Sequence, residues 1–199
     1  MTLRLLLLAA IVSLPALPAN AAANIEAGRE KAKVCAPCHG ETGVSSIPGV
    51  PSLAGQQDQF IQWQLVFFRS GRRPNRVMAA IVANLSDEDV RDLGAYFHSL
   101  PYNTKPLDGT PDPELAAKGK MVALQHRCAS CHMDNFLGER AAAAIADQRE
   151  DYLVKALADY RSATRPSSGI GAMTEATASL SDDDLVAVAH YLSRLPAAP

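Results

Sequence analysis

The chain has 199 residues, of which 48% are hydrophobic and 20% charged, with a net charge of −2. The near balance of 19 Lys and Arg against 21 Asp and Glu excludes the basic footprint that nucleic-acid binding needs. Aromatic residues make up only 6%, so any small core must find its apolar bulk elsewhere.

The N-terminus carries one positive charge at Arg4, an apolar run from Leu5 to Leu14, and the ending Ala19-Asn20-Ala21. This is the layout of a secretory signal over residues 1–21, with cleavage expected after Ala21. The run is shorter than the ~20 residues a spanning helix needs. No later segment reads as a membrane span. The mature protein is therefore expected to be exported, and periplasmic in a Gram-negative host. About 80 residues per unit remain once the chain is divided as below, a size at which a polypeptide core is marginal on its own.

A first helix is expected over about 25–34. It runs into Cys35-Ala36-Pro37-Cys38-His39, a C-x-x-C-H motif. In this motif two thiols can add to the vinyl groups of a haem while the next histidine binds its iron. A middle helix is expected over 57–69, followed by the basic cluster Arg69, Arg72, Arg73 and Arg76. Ser86-Asp87-Glu88-Asp89 sets a cap hydroxyl three residues ahead of a carboxylate, and its acidic turn suits the positive end of a helix dipole. Behind it, Val90, Leu93, Phe97 and Leu100 recur at helical spacing up to Pro101. Four prolines and Gly109 between 101 and 113 then predict an extended, semi-rigid connector.

The pattern repeats. A helix is expected over 113–126, and a second C-x-x-C-H occupies Cys128-Ala129-Ser130-Cys131-His132. A nearly constant offset of 92–95 residues relates Cys35 to Cys128, Gln56 to Gln148, Phe60 to Tyr152, Arg73 to Arg165, Met78 to Met173 and Ser86 to Ser181. The matching middle helix is expected over 149–161. Ser181-Asp182-Asp183-Asp184 opens the last helix, with Leu185, Val188, Leu192 and Leu195 on one face before Pro196. Gly28 and Gly119 sit where the first and last helices of each unit would cross closely. The reading is all-α: a domain at 22–101, a linker at 102–113 and a second domain at 114–199.

The motifs consume all four cysteines. A thioredoxin-like redox pair would sit beside a βαβ pattern, which is absent from the sequence. A four-cysteine zinc site would require both pairs to meet and would leave both histidines unexplained. Disulfides are the remaining alternative in an oxidising compartment. Two covalently attached haem c groups fit best, held by Cys35, Cys38 and His39, and by Cys128, Cys131 and His132. The sixth iron ligand decides the chemistry: methionine closes the iron, an open position admits ligands. Met78 follows His39 by 39 residues and Met173 follows His132 by 41. Their equivalent placement makes them the candidate axial ligands. Met121 reads as packing, His98 and His190 as residues of the last helices, and His126 as the spare ligand candidate.

These residues resemble the c4-type dihaem cytochromes, built from two class I cytochrome c domains in tandem. The resemblance spans nearly the whole mature chain. In the first half it rests on the haem motif with Gly40, Pro51-Ser52-Leu53-Ala54-Gly55-Gln56, Gln64-Leu65, Phe68-Arg69, Arg73, Met78 and Leu85-Ser86. It implies that the Pro51 carbonyl holds the proximal histidine. In the second half Ala143-Ala144-Ile145-Ala146-Asp147-Gln148 replaces the proline segment, Ala156 replaces Gln64 and Met133 replaces Gly40. The second site is therefore expected to differ in potential or axial bond.

Residues 22–108 carry nine basic and nine acidic side chains, and residues 109–199 carry nine and twelve. Modest charge suits weak, salt-sensitive docking of a shuttle and is compatible with weak membrane association. Some of the four arginines before Met78 are expected to meet haem propionates. The resemblance implies an electron carrier, not an enzyme, between a donor such as a quinol-oxidising complex and an acceptor such as a terminal oxidase or reductase. Two rivals share the two-haem plan. One is a cytochrome subunit of a larger enzyme such as a flavocytochrome c sulfide dehydrogenase. The other is a dihaem enzyme of the thiosulfate dehydrogenase or peroxidase type.

Overall fold

The computed structural model describes residues 22–102, 110–167 and 171–196. The signal reading at 1–21 and linker residues 103–109 lie outside the described residues. Among those described there are ten helices and no strand. They are α1 (Ile25–Ala32), α2 (Ala36–His39), α3 (Asp58–Arg69), α4 (Arg76–Val82), α5 (Asp87–Ser99), α6 (Pro113–Gln125), α7 (Ala129–His132), α8 (Glu150–Arg161), α9 (Ala172–Thr177) and α10 (Asp182–Ser193). The second five repeat the first five in order. No helix among the described residues is long and apolar enough to cross a membrane.

Local chemistry sets the helix starts. Asn24 and Asp112 each accept two backbone N–H bonds at the head of α1 and α6. Ser86 and Asp89 exchange side chain and backbone bonds of 3.1 and 2.9 Å, and Ser181 and Asp184 repeat the box at 3.1 and 3.1 Å. The first helix ends at Ala32 rather than 34 because Cys35 N–H turns back to the Ala32 carbonyl at 2.8 Å. Two short helices, α4 and α9, carry Met78 and Met173; their seven and six residues are too few for a helical hydrophobic period to show in the sequence.

The packing centre of each domain is the crossing of its first and last helices. A Cβ placed on Gly28 would lie 2.2 Å from the Asp92 carbonyl oxygen, and one on Gly119 would lie 2.0 Å from that of Ala187. Ala32, Ile61, Leu93 and Phe97 form the first core, bordered by Cys35. Val122, Ala123, Leu153, Leu185, Val188, Ala189 and Leu192 lie in the second, bordered by Cys128 and Ala129. Met121 is 53% exposed, so it is a surface residue and not packing.

The second domain keeps the left-handed turns of the first at four positions where it has lost the glycine. Gly40, Gly43, Gly55 and Gly71 have φ of 84°, 77°, 68° and 73°. Their counterparts Met133, Phe136, Asp147 and Ala163 stay left-handed at 65°, 56°, 52° and 57°. A Cβ in this region costs about 1–2 kcal/mol per residue. Ala163 is exposed and closes α8 by donating its N–H to the Tyr160 carbonyl at 3.0 Å. Ala163→Gly is accordingly expected to stabilise the second domain by about 1 kcal/mol, read as a higher melting temperature; an unchanged or lower one contradicts the strain.

Asp147 adds a pH dependence. Burial pushes its carboxyl from the ordinary 3.8 up to about 6. The folded state therefore binds this proton more tightly than the unfolded state. The contribution is complete below about pH 4 and is lost as pH rises through about 6. Asp147→Asn is expected to flatten this window in melting curves taken across it. A variant that parallels the parent throughout would remove Asp147 as the cause.

Candidate functional site

Each C-x-x-C-H motif is one short helical turn with its first cysteine as the residue before it. His39 N–H donates to the Cys35 carbonyl at 2.9 Å, and His132 N–H to that of Cys128 at 3.1 Å. This winding puts both thiols and the imidazole of each motif on neighbouring positions of one turn. No disulfide joins any of the four cysteines, so all four sulfurs are available for thioether bonds. Burial pushes the Cys35 thiol up to about 11 and raises that of Cys128. Those are not the low-pKa thiolates of a redox C-x-x-C pair. Among the described residues no three His, Cys, Asp or Glu side chains cluster to hold a metal ion by themselves.

Both histidines are buried, at 7% and 8% exposure. Burial lowers each imidazole's pKa and favours the neutral ring. His39 Nδ1 meets the Pro51 carbonyl at 2.9 Å. His132 Nδ1 meets the Ala143 carbonyl at 2.7 Å, so the loss of proline left the bond intact. A carbonyl only accepts, so each Nδ1 carries the proton and each Nε2 keeps its lone pair for a ligand.

Met78 and Met173 are both half-buried, each in its short helix. Asn75 accepts the Met78 N–H at 2.9 Å and starts α4. Thr177 Oγ1 donates to the Met173 carbonyl at 2.8 Å within α9. α4 packs on α3 and α9 on α8, in parallel fashion. Of the stretch 167–172, residues 168–170 lie outside the described residues. The spare candidates are otherwise engaged or placed. His98 Nδ1 bonds the Gln56 carbonyl at 3.1 Å, His190 sits between Glu150 and the Asp112 N–H, and His126 caps the end of α6.

The arginines divide sharply. Arg69 and Arg161 each bond a backbone carbonyl, Leu85 or Leu180, and the acidic residue that opens the last helix, Asp87 or Asp182. They tie the middle helix to the last one and are not free for an anion. Arg72 lies exposed over Phe67, and Arg76 is exposed at the start of α4. Arg73 and Arg165 instead meet between the domains. Both bond Gln64 Oε1, at 2.7 and 3.0 Å, and both reach the Tyr152 hydroxyl, at 3.4 and 3.2 Å. Arg73 stacks on Phe68 at 4.4 Å and Arg165 on Tyr160 at 4.5 Å. Burial would raise the Tyr152 phenol, but the two guanidiniums outweigh it and draw it down to about 8. Among the described residues neither cation has a carboxylate partner, and Arg165 Nε and Gln64 Nε2 are buried without any partner. A pair of cations so placed fits an acidic group brought in from outside the chain, which haem propionates supply.

Sequence reading did not single out this interface. Its signal was available: Gln56, Arg73 and their counterparts Gln148 and Arg165 are polar residues repeated at fixed offset.

The comparisons with known proteins agree in both halves. The family described as "Cytochrome c" matches residues 116–196, and "Cytochrome C oxidase, cbb3-type, subunit III" matches residues 22–97. Cytochrome c4 of Pseudomonas aeruginosa is 34% identical over 187 residues, covering 89% of this chain and 91% of that protein. The reduced recombinant cytochrome c4 of Pseudomonas stutzeri superposes with a TM-score of 0.78 at 32% identity, covering 87% of this chain and 100% of the other. The chain belongs to the cytochrome c4 family. A "Thiosulfate dehydrogenase electron acceptor" of Stutzerimonas stutzeri (strain A1501) is also similar, 31% identical over 82% of this chain and 80% of its own length. As a member of the cytochrome c4 family the chain is a dihaem electron-transfer cytochrome and not an enzyme. Its two cytochrome c domains hold two covalently bound haem c groups with their iron.

Proposed function

We propose that the protein is an exported electron shuttle in which Cys35, Cys38, His39 and Met78 hold one haem and Cys128, Cys131, His132 and Met173 the other. The observation that carries the reading is the duplicated imidazole geometry: a buried histidine in each motif with Nδ1 bound to a backbone carbonyl and Nε2 left to coordinate. The haem iron, when bound, cycles between ferric and ferrous states. The chain's own residues do the rest. The Pro51 and Ala143 carbonyls fix the imidazole ring planes, Met78 and Met173 would supply thioether sulfur to the irons, and Arg73 and Arg165 would neutralise propionates at the domain boundary.

The domains are proposed at 22–101 and 114–199, joined by 102–113 after removal of 1–21, in a periplasmic setting. The partners are redox proteins, a donor such as a quinol-oxidising complex and an acceptor such as a terminal oxidase or reductase. A second reading is favoured by one similar protein's name. The shuttle would then receive its electrons from a dehydrogenase acting on a sulfur compound such as thiosulfate. Stopped-flow mixing separates the donors. Fast, salt-sensitive reduction of the ferric protein by a quinol-oxidising complex supports the first reading. Fast reduction only by a thiosulfate dehydrogenase with its substrate supports the second. No reduction by either contradicts both.

A further inference from the structure

Two glutamines cross the domain boundary in opposite directions. Gln56 lies at the head of α3 in the first domain and Gln148 at the head of α8 in the second, and they are 5% and 6% exposed. Gln56 Nε2 donates to the Ala144 carbonyl at 2.9 Å, and Ala144 N–H donates to Gln56 Oε1 at 2.6 Å. Gln148 Nε2 donates to the Ser52 carbonyl at 2.9 Å, and Ser52 N–H donates to Gln148 Oε1 at 2.9 Å. Each side-chain amide thus binds one backbone residue of the other domain at both its N–H and its C=O.

The residues bound are the ones that follow the histidine-holding carbonyls. The Pro51 C=O and the Ser52 N–H belong to one peptide group. The first accepts from His39 Nδ1–H, and the second donates to Gln148. The Ala143 C=O and the Ala144 N–H likewise form one peptide group, placed between His132 Nδ1–H and Gln56. Peptide resonance links the two ends of that group. A bond accepted from its N–H makes its carbonyl oxygen a stronger acceptor, and chains of this kind strengthen their members by about 10–30% per bond.

We infer that each histidine is polarised and positioned by a glutamine of the opposite domain, so that Gln148 tunes the haem at His39 and Gln56 tunes the haem at His132. The inference rests on His39 and His132 as the iron-binding residues. A stronger bond at Nδ1–H makes the imidazole a better donor and favours ferric iron, which lowers the potential. Losing the glutamine amide raises it. The apolar substitutions Gln148→Met and Gln56→Met remove the amide at similar volume.

The test is a redox titration of the full-length haem-loaded protein and these two variants. It is followed by NMR on haem methyl resonances assigned to each domain by contacts with that domain's residues. Gln148→Met is expected to raise the potential of the His39 haem and leave the His132 haem unchanged; Gln56→Met is expected to do the reverse. A shift on the haem of the substituted domain, an equal shift on both, or no shift overturns the inference. Where a methionine variant does not fold, Gln148→Glu or Gln56→Glu keeps an acceptor for the peptide N–H and adds charge to it. The larger shift must then be downward and again on the opposite domain's haem, and any other distribution overturns the inference. Loss of covalently bound haem from the unsubstituted protein would instead overturn the ligand reading on which the inference rests.

Discussion

Gly119→Ala is expected to unfold the second domain while the first keeps its haem and its fold. The added Cβ would stand 2.0 Å from the Ala187 carbonyl oxygen and 2.6 Å from its carbon. Both are backbone atoms of α10, so no side chain can swing aside. Relief requires α6 and α10 to move apart along the contact that buries Val122, Ala123, Val188, Ala189 and Leu192. Overpacking of this kind costs about 1–3 kcal/mol where side chains can adjust, and more where backbone must shift. A domain of about 80 residues holds only ~5–10 kcal/mol in total. Strained left-handed residues at Met133, Phe136, Asp147 and Ala163 have already drawn on that reserve. Gly28→Ala meets the Asp92 carbonyl at 2.2 Å and should act in the same way on the first domain. Gly49→Ala is the control: nothing lies within 4 Å of its Cβ, and its φ of 74° leaves only the strain of about 1–2 kcal/mol. Thermal melts with haem content per domain check the series. A Gly119→Ala protein as stable as the Gly49→Ala protein would contradict the close helix crossing.

Met78→Ala is expected to open one iron to carbon monoxide and to lower that haem's potential, with the other haem unaffected. Thioether sulfur favours ferrous iron, and axial ligands move haem potentials over a range of roughly 0.8 V. Met78 begins on a helix start fixed by Asn75, so truncating its side chain removes the sulfur without disturbing the Asn75 cap. Met173→Ala should do the same to the second haem. Carbon monoxide difference spectra read the result directly. Binding to the parent protein, or none to the variants, removes the methionines as ligands.

Much of this architecture was legible in the residues. The two motifs, the fixed offset between halves and the capping boxes each depend on local chemistry that a short segment carries alone. The crossing glycines were legible because a missing side chain in a helix needs a reason. The helices carrying Met78 and Met173 were not, being too short for periodicity to show. The sorting of arginines was not either. Arg69 and Arg73 lie four residues apart, yet one closes its own domain against Leu85 and Asp87 while the other meets Arg165 across the boundary. That difference exists only once two domains dock. The same holds for Gln56 and Gln148, whose partners lie 88 and 96 residues away. The replacement of segment 51–56 and of Gly40 in the second half led the sequence reading to expect a second site of different potential or axial bond. The backbone there kept the same path, because Ala143 presents its carbonyl as Pro51 does.

The absorption spectrum of the purified ferric protein, with haem quantified per chain, tests the ligand set most directly. The methionine-to-iron charge-transfer band is counted in equivalents. Two covalent haems with two equivalents of the band is the predicted result of the proposed Met78 and Met173 ligation. Two haems with one equivalent or none would contradict the paired His/Met centres and leave an open iron in an otherwise intact chain.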